Sequence, residues 1–107
     1  MSQPSFAVFA EQTLDDFYAR LSDHPDLGDL DIDLIDGVLT LEFEDGAQMI
    51  LNRQEAAAQI WLSSPEGPAH FGYDEATGQW QNDRTGETLG TTLARVLGGK
   101  LGTSIEL

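Results

Sequence analysis

Acidic side chains are the residues of this sequence best suited to chemistry, and they are concentrated near its N-terminus. Of the nineteen Asp and Glu residues, twelve lie among the first 45 positions with a single base, Arg20. That segment carries −11, and the other seven acids and four bases carry −3, giving the net −14. Such a field opposes compaction by self-repulsion unless it is solvated or attracts cations or a basic partner. The twelve acids are Glu11, Asp15, Asp16, Asp23, Asp26, Asp29, Asp31, Asp33, Asp36, Glu42, Glu44 and Asp45.

Two strands in this segment are predicted to place like charges opposite each other. Asp36-Gly37 is a strong signal for a two-residue hairpin turn. Counting back across that turn sets Asp31 opposite Glu42 and Asp29 opposite Glu44. Directly opposed like charges destabilise a strand pair, and a bound hard cation would offset this because carboxylate oxygens suit such ions. A solvated, salt-screened face is the alternative. No EF-hand loop or HExxH pattern is present, so any metal binding should be weak and distributed over several sites.

Trp61 is the clearest candidate for contact with another protein. Ile60 and Leu62 take the core phase of their strand, so Trp61 is predicted to lie on the outer face of the sheet, and Asn52 has the same phase on the preceding strand. A tryptophan on a polar sheet face is a good interface anchor. The alternative is a tryptophan covered by a neighbouring side chain. We interpret Trp80 as a structural aromatic residue.

The sequence offers little support for catalysis. Ser63 and Ser64 lack a nucleophile elbow, and His24 and His70 lack a triad setting. A paired-carboxylate hydrolase stays an alternative, although such sites normally lie in a pocket. The absence of cysteine excludes disulfides and thiolate metal sites. A net charge of −14 argues against binding nucleic acid or an anionic membrane. With no signal sequence or membrane-length apolar run, we expect a cytoplasmic protein.

Hydrophobic periodicity predicts one α+β domain over residues 1–107. A helix from about Pro4 to Ser22 precedes a run of up to six strands, and a second helix from about Thr88 to Leu97 is expected to stop at Gly98-Gly99. Consecutive hairpins predict an antiparallel sheet. The order α-β-β-β-β-β-β-α therefore predicts a two-layer sandwich with both helices on one face.

Several blocks of the sequence resemble the frataxin family, in particular its bacterial CyaY branch. The blocks are Asn52-Arg53-Gln54-Glu55, Gln59-Ile60-Trp61-Leu62, the run from Asp33 to Leu41, and Trp80 with Asp83-Arg84-Thr85-Gly86-Glu87-Thr88. Together they cover nearly the whole chain in the expected order. The resemblance implies a non-enzymatic iron-binding protein of iron–sulfur cluster assembly. Such a protein docks on the cysteine desulfurase–scaffold complex, and regulates it or supplies iron to it.

The resemblance also implies two functional surfaces. An acidic ridge, formed by the first helix and the edge of the first strand, binds Fe²⁺ or Fe³⁺ weakly, and other divalent or trivalent cations can substitute. The metal-ligand candidates are Glu11, Asp15, Asp16, Asp23, Asp26, Asp29, Asp31 and Asp33, with Glu42 and Glu44 added by the opposed-acid argument and His24 as a nitrogen ligand. The partner-contact candidates are Asn52, Gln54, Trp61, Asp29, Asp31 and Asp33.

One departure from the family pattern affects the helix side of the ridge. Tyr18-Ala19 precedes Arg20-Leu21, where the family usually carries an acidic pair. We expect a monomer in the absence of metal.

Two other functions stay open: an iron store or chaperone acting through metal-dependent oligomers, and an acidic inhibitor that mimics nucleic acid and binds a basic nuclease.

Overall fold

A computed structural model describes residues 6–107 of the chain. The predicted start of the first helix, at Pro4, lies outside the described residues. The two α-helices flank a run of six strands, and two short 3₁₀ helices, Pro25–Leu27 and Glu55–Ala57, lie in the connections. The elements are α1 (Phe6–Asp23), β1 (Asp31–Ile35), β2 (Val38–Glu42), β3 (Gln48–Gln54), β4 (Gln59–Ser64), β5 (Gly67–Asp74), β6 (Gln79–Asn82) and α2 (Leu89–Leu101).

The six strands form one antiparallel sheet in chain order, from β1 at one edge to β6 at the other. Leu39, Leu51 and Leu62 lie side by side across β2, β3 and β4, and all three are buried. The helices contribute their apolar stripes to the same core. Both helices cover this face, so the predicted α+β sandwich is confirmed.

Helix α1 is amphipathic, as its sequence predicted. Ala10, Leu14, Phe17 and Leu21 recur every three or four residues and are buried, which places them on one side of the helix. Most acids of α1 are therefore left on exposed sides of the helix. The buried stripe anchors α1 against the first strands of the sheet, and this contact positions the acidic residues relative to β1.

The first strand begins two residues later than the sequence suggested. Pro25 opens a 3₁₀ turn, Leu27 is buried, and the Leu27 carbonyl accepts the N–H of Leu30 at 3.1 Å. The chain is therefore still turning at Asp29, and the predicted pairing of Asp29 with Glu44 is wrong. The other predicted pair does form, because Asp31 lies opposite Glu42 in the β1–β2 ladder.

Helix α2 does not stop at Gly98-Gly99 but continues to Leu101. It ends at Gly102, a left-handed residue (φ 70°) whose N–H donates to the Gly98 carbonyl at 2.8 Å. Glycine is unfavourable inside a helix, but tertiary packing overrides this preference here. A Cβ at position 98 would lie 2.8 Å from the Thr103 carbonyl oxygen, so Gly98 lets the C-terminal tail pass close to the helix. The tail then buries Ile105 in the core.

Candidate functional site

The outer face of the sheet, which points away from the buried core, carries a row of aligned side chains. Strand register places Ile35, Val38, Asn52, Trp61 and His70 side by side across β1 to β5, and we call these five residues the outer row. Ile35 is 65% exposed, whereas Asn52 and Trp61 are half-buried. The outward phase predicted for Trp61 and Asn52 is confirmed by this register.

A second partner-contact candidate, Gln54, lies beside the outer row. It is the last residue of β3 and faces Gln59 across the β3–β4 ladder. This pair lies two residues along the strands from the pair formed by Asn52 and Trp61. Gln54 is half-buried. The three sheet candidates predicted from the sequence therefore share one face of the molecule.

The indole of Trp61 is held by its neighbours at both its edge and its face. Its Nε1–H donates to Gln59 Oε1 at 2.9 Å, and its ring stacks on His70 with centroids 4.3 Å apart and planes 17° apart. Asp83 Oδ2 accepts a hydrogen bond from Gln59 Nε2 at 3.2 Å and lies 3.8 Å from His70 Nδ1. The alternative interpretation of a covered tryptophan therefore applies to one side of the ring.

Two acids of the edge strand belong to the same outer face as Trp61. Asp31 and Asp33 alternate with inward-facing residues of β1 and are exposed. Asp31 is opposed by Glu42, and Asp33 is opposed by Thr40. Among the ion pairs formed within residues 6–107, none includes Asp31, Asp33 or Glu42. These carboxylates therefore have no compensating base among the described ion pairs.

Two acids of α1 approach the same edge of the sheet. Glu11 and Asp15 line a groove of about 200 Å³ together with Leu34 and Gly37. The Glu11 carboxylate is 2.8 Å from Arg53 Nη1, so its charge is partly compensated. Of these two acids, only Asp15 has no basic partner among the described ion pairs.

Asp16 lies on the other side of α1. It pairs with Arg20 at 3.0 Å and lines a groove of about 390 Å³ with Tyr73 and Trp80, toward β6. Asp15 lines the groove beside β1 and Asp16 the groove toward β6, since successive helical residues point about 100° apart. The structure therefore separates Asp16 from the other helix-side candidates.

Four further acids surround a pocket at the opposite end of β1. Asp26, Asp29 and Glu44 line this pocket of about 270 Å³ with Asp45, and Lys100 of α2 is its only basic lining residue. Lys100 hydrogen bonds to Asp45, and this bond holds the pKa of the Asp45 carboxyl below its ordinary value. Asp29 and Glu44 therefore share a pocket although they are not paired in the sheet.

His24 makes backbone hydrogen bonds through both ring nitrogens. Nδ1 accepts from the N–H of Asp26 at 3.1 Å, and Nε2 lies 3.1 Å from the Glu106 carbonyl oxygen. The tautomer with its proton on Nε2 satisfies both contacts. A metal ion would have to displace one of them. Asp23, which precedes His24, is exposed at the end of α1.

The donor chemistry fits loosely held cations. Within residues 6–107, no group of three or more His, Asp or Glu side chains is arranged to hold one metal ion together. Exposed carboxylates bind hard cations, but without a preformed shell each ion gains only one or two protein ligands.

No helix within residues 6–107 is long and apolar enough to cross a membrane.

The sequence did not identify the contacts that support Trp61. Alternation within β4 places Gln59 on the same face as Trp61, whereas His70 was missed although it shares this outward phase on β5. Asp83 lies in the loop after β6, and no local pattern connects it to Trp61. Ile35 was also missed as part of the outer row, although a two-residue turn at Asp36-Gly37 implies that Ile35 pairs with Val38.

The part of the chain that the structure describes is thus a small α+β domain with open grooves, exposed acids on β1 and a tryptophan on the outer sheet face. The profile of the Frataxin-like domain matches residues 1–103, and the chain belongs to this family. The resemblance inferred from its motifs is thereby confirmed. Members of this family are non-enzymatic, as the sequence predicted.

Curated relatives of similar length support this assignment. The Iron-sulfur cluster assembly protein CyaY of Thioalkalivibrio sulfidiphilus is 61% identical over 107 residues, which is 100% of both chains. The protein of the same name from Azotobacter vinelandii is 43% identical over 97 residues, covering 89% of this chain and 88% of that one.

Solved structures agree with the fold. Frataxin from Psychromonas ingrahamii superposes with a TM-score of 0.77 at 28% identity, covering 96% of this chain and 97% of the other. Trimeric frataxin from Saccharomyces cerevisiae, complexed with ferrous iron, gives a TM-score of 0.66 at 29% identity, covering 96% and 90% of the two chains.

Proposed function

We propose that this protein is an iron–sulfur cluster assembly factor that docks on the cysteine desulfurase–scaffold complex and regulates it or supplies iron to it. One observation carries the proposal: strand register places the carboxylates of Asp31 and Asp33 on the same outer face as Asn52 and Trp61. The charged and aromatic candidates therefore form one continuous surface. Support also comes from the name shared by the curated relatives.

The acidic edge, which we define as Asp29, Asp31 and Asp33, would meet a basic surface of the desulfurase. Charges of one sign accelerate encounter with an oppositely charged partner, and salt weakens this steering. None of these acids has a basic partner within the described residues, so no internal ion pair has to break when the partner arrives.

The sheet candidates Asn52, Gln54 and Trp61 would supply the short-range contacts. A tryptophan that is half-buried and fixed by its neighbours loses little conformational entropy on binding, and tryptophans are frequent energetic anchors in interfaces. Asn52 and Gln54 offer amide donors and acceptors beside it. Charge would therefore govern the rate of encounter, and the sheet face would govern the lifetime of the complex.

Iron is the cargo that the acidic surface would carry. The absence of a preformed ligand cluster among residues 6–107 favours weak binding at several places rather than one tight site. Iron and the desulfurase would compete for the acidic edge. The proposed ligands are drawn from the candidates of the sequence, among which Glu11, Asp16 and His24 already make other contacts. The candidates without such contacts are Asp15, Asp23, Asp26, Asp29, Asp31, Asp33, Glu42 and Glu44.

The acidic edge can be tested by neutralising it without a change of shape. We expect Asp31→Asn with Asp33→Asn to slow association with the desulfurase about 10-fold at low salt, because steering is lost. The matched control is Glu75→Gln with Glu106→Gln, which removes the same charge from exposed positions outside the edge. Stopped-flow association rates decide the matter. Equal rates for both double variants would contradict the proposed role of the edge.

A second candidate function is iron storage or delivery through metal-dependent oligomers. The similarity to a trimeric yeast frataxin complexed with ferrous iron favours it. Sedimentation of the chain under anaerobic conditions, with and without ferrous iron, tests this alternative. Assembly that requires iron supports the store, whereas a monomer at every iron concentration excludes it.

A further inference from the structure

Asp83 is a loop residue that contacts both side chains holding Trp61. Its Oδ2 atom accepts from Gln59 Nε2 at 3.2 Å and lies 3.8 Å from His70 Nδ1. Gln59 in turn accepts the indole N–H of Trp61, and His70 stacks on the indole ring. One carboxylate thus joins the two supports of the tryptophan into a closed ring of four side chains.

The backbone around Asp83 is itself well fixed. Its N–H donates to the carbonyl of His70 at 3.0 Å, which ties the loop to β5. The preceding Asn82 accepts the N–H groups of Arg84 and Thr85 at 2.8 and 3.1 Å, so the chain turns tightly at this point. The Asp83 carboxylate is therefore presented from a rigid position rather than from a loose loop.

Without Asp83, the Gln59 amide would lose its acceptor and His70 would lose the carboxylate beside its ring. Gln59 has three side-chain torsions, and its amide can point toward solvent. His70 is 41% exposed and can leave the stack by rotating about its own side-chain bonds. A side chain that is already immobilised gives up less entropy when it binds. The position of Trp61 before docking therefore depends on a residue that does not touch it in any described contact.

We propose that Asp83 is a positioning residue for the docking face: it orients Gln59 and His70, and these present Trp61 in one orientation to the partner. The affinity part of this inference rests on the proposed docking function. The orientation part concerns the isolated chain and is measurable without any partner. If Trp61 has to be immobilised only on binding, the entropy cost should weaken affinity by about 2- to 10-fold.

The two tryptophans provide an internal control for orientation. Trp80 is buried and donates its Nε1–H to Thr13 Oγ1 at 2.8 Å, with no described contact to Asp83. In Asp83→Ala we expect the Trp61 indole N–H signal to shift and to exchange with solvent faster, while the Trp80 signal stays in place. Asp83→Asn keeps an acceptor for Gln59 and should retain most of the wild-type signal. An unchanged Trp61 signal in Asp83→Ala overturns the proposal.

Affinity for the desulfurase–scaffold complex is the second readout. Asp83→Ala should bind about 2- to 10-fold more weakly, with Asp83→Asn nearer to wild type. Glu75→Ala, which removes one exposed acid from the neighbouring β5–β6 turn, should bind like wild type. Equal losses in Asp83→Ala and Glu75→Ala would show a charge effect and overturn positioning. If the wild-type chain does not bind, the docking function fails, and the indole signals still decide the orientation.

A folding defect is recognised by movement of both indole signals. In that case Gln59→Glu replaces Asp83→Ala, because it keeps an acceptor for Trp61 but removes the donor to Asp83 and opposes two carboxylates. We expect it to loosen Trp61 alone. A Trp61 signal identical to wild type in this variant overturns the proposal.

Discussion

At the scale of single residues, the outer row extends the docking face beyond the residues predicted from the sequence. Ile35 has the largest exposed fraction among the exposed large apolar side chains of the described residues, 65%. It lies beside Val38 at the β1–β2 turn, where Asp36 adopts a left-handed conformation with φ 51°. A single exposed apolar residue is ordinary on a protein surface, but this one aligns with Trp61 and borders the acidic edge. It joins the two proposed contact surfaces.

We expect Ile35→Ala to weaken binding to the desulfurase–scaffold complex about 5-fold, because an apolar contact beside the tryptophan anchor is lost. Its stability should stay within about 0.5 kcal/mol of wild type, since the side chain is mostly solvated. Val8→Ala, at a 41% exposed aliphatic position on α1, is the control. Isothermal titration measures the affinities. Wild-type affinity for Ile35→Ala would remove this residue from the docking face.

At the scale of elements, the half-buried carboxylate of Glu87 holds the start of α2. Glu87 accepts hydrogen bonds from Arg95 at 3.0 and 3.1 Å and from the Thr92 hydroxyl at 2.7 Å. The Arg95 guanidinium, followed by the Thr92 hydroxyl, holds the pKa of the Glu87 carboxyl below its ordinary value. The carboxylate form is therefore favoured in the folded state. This contact contributes stability above the unfolded-state pKa and loses it as pH falls through the folded-state pKa.

The sign of this linkage gives a pH-dependent prediction. Glu87→Gln should lower the free energy of unfolding by about 1 kcal/mol at neutral pH, with solvent screening limiting the effect. The difference from wild type should shrink as pH falls below the ordinary glutamate value of about 4.5. Denaturant titrations at several pH values measure it, with Glu75→Gln as the control. A difference that is the same at pH 7 and at pH 3.5 would contradict the assigned ion pair.

The two adjacent glycines of α2 form a matched pair for testing the tail. Alanine at Gly98 would place its Cβ 2.8 Å from the Thr103 carbonyl oxygen, whereas alanine at Gly99 meets nothing within 4 Å. We expect Gly98→Ala to destabilise the fold by about 1–3 kcal/mol through overpacking. Gly99→Ala should stabilise it by up to about 1 kcal/mol through helix propensity. Thermal melts compare them, and equal shifts would show that the tail is not held close to Gly98.

At the scale of the whole molecule, charge is the dominant feature. The net charge is −14, and Asp31 and Glu42 are directly opposed without a basic partner among the described ion pairs. Repulsion of this kind is long-ranged at low ionic strength, where the Debye length is about 30 Å at 0.01 M, and it is screened at higher salt. The opposed acids of β1 and β2 should therefore lower the stability of the fold most strongly at low salt.

We expect the melting temperature to rise by roughly several degrees between about 0.01 M and about 0.3 M salt, and to rise further with divalent cations, because screening relieves the repulsion. Asp31→Asn with Asp33→Asn should melt higher than wild type at low salt and depend less on salt. Differential scanning calorimetry measures both effects. Melts that respond to neither salt nor divalent cations would show that the repulsion is already relieved within the fold.

The sequence by itself determined the features that depend on local periodicity. The α-β₆-α order, the outward phase of Trp61 and the pairing of Asp31 with Glu42 all follow from spacing along one element or across one tight turn. A two-residue hairpin leaves little choice of register, so the opposed acids could be predicted by counting.

Only the tertiary structure decided the features that join distant parts of the chain. The C-terminal tail passes close to Gly98 within α2, and Asp83 reaches Gln59 across 24 positions of sequence. Asp15 and Asp16 are neighbours in the sequence but line different grooves, one beside β1 and one toward β6, because the buried stripe of α1 fixes the rotation of the helix. Such contacts depend on how whole elements pack against each other, and the local propensities of the residues do not predict that packing.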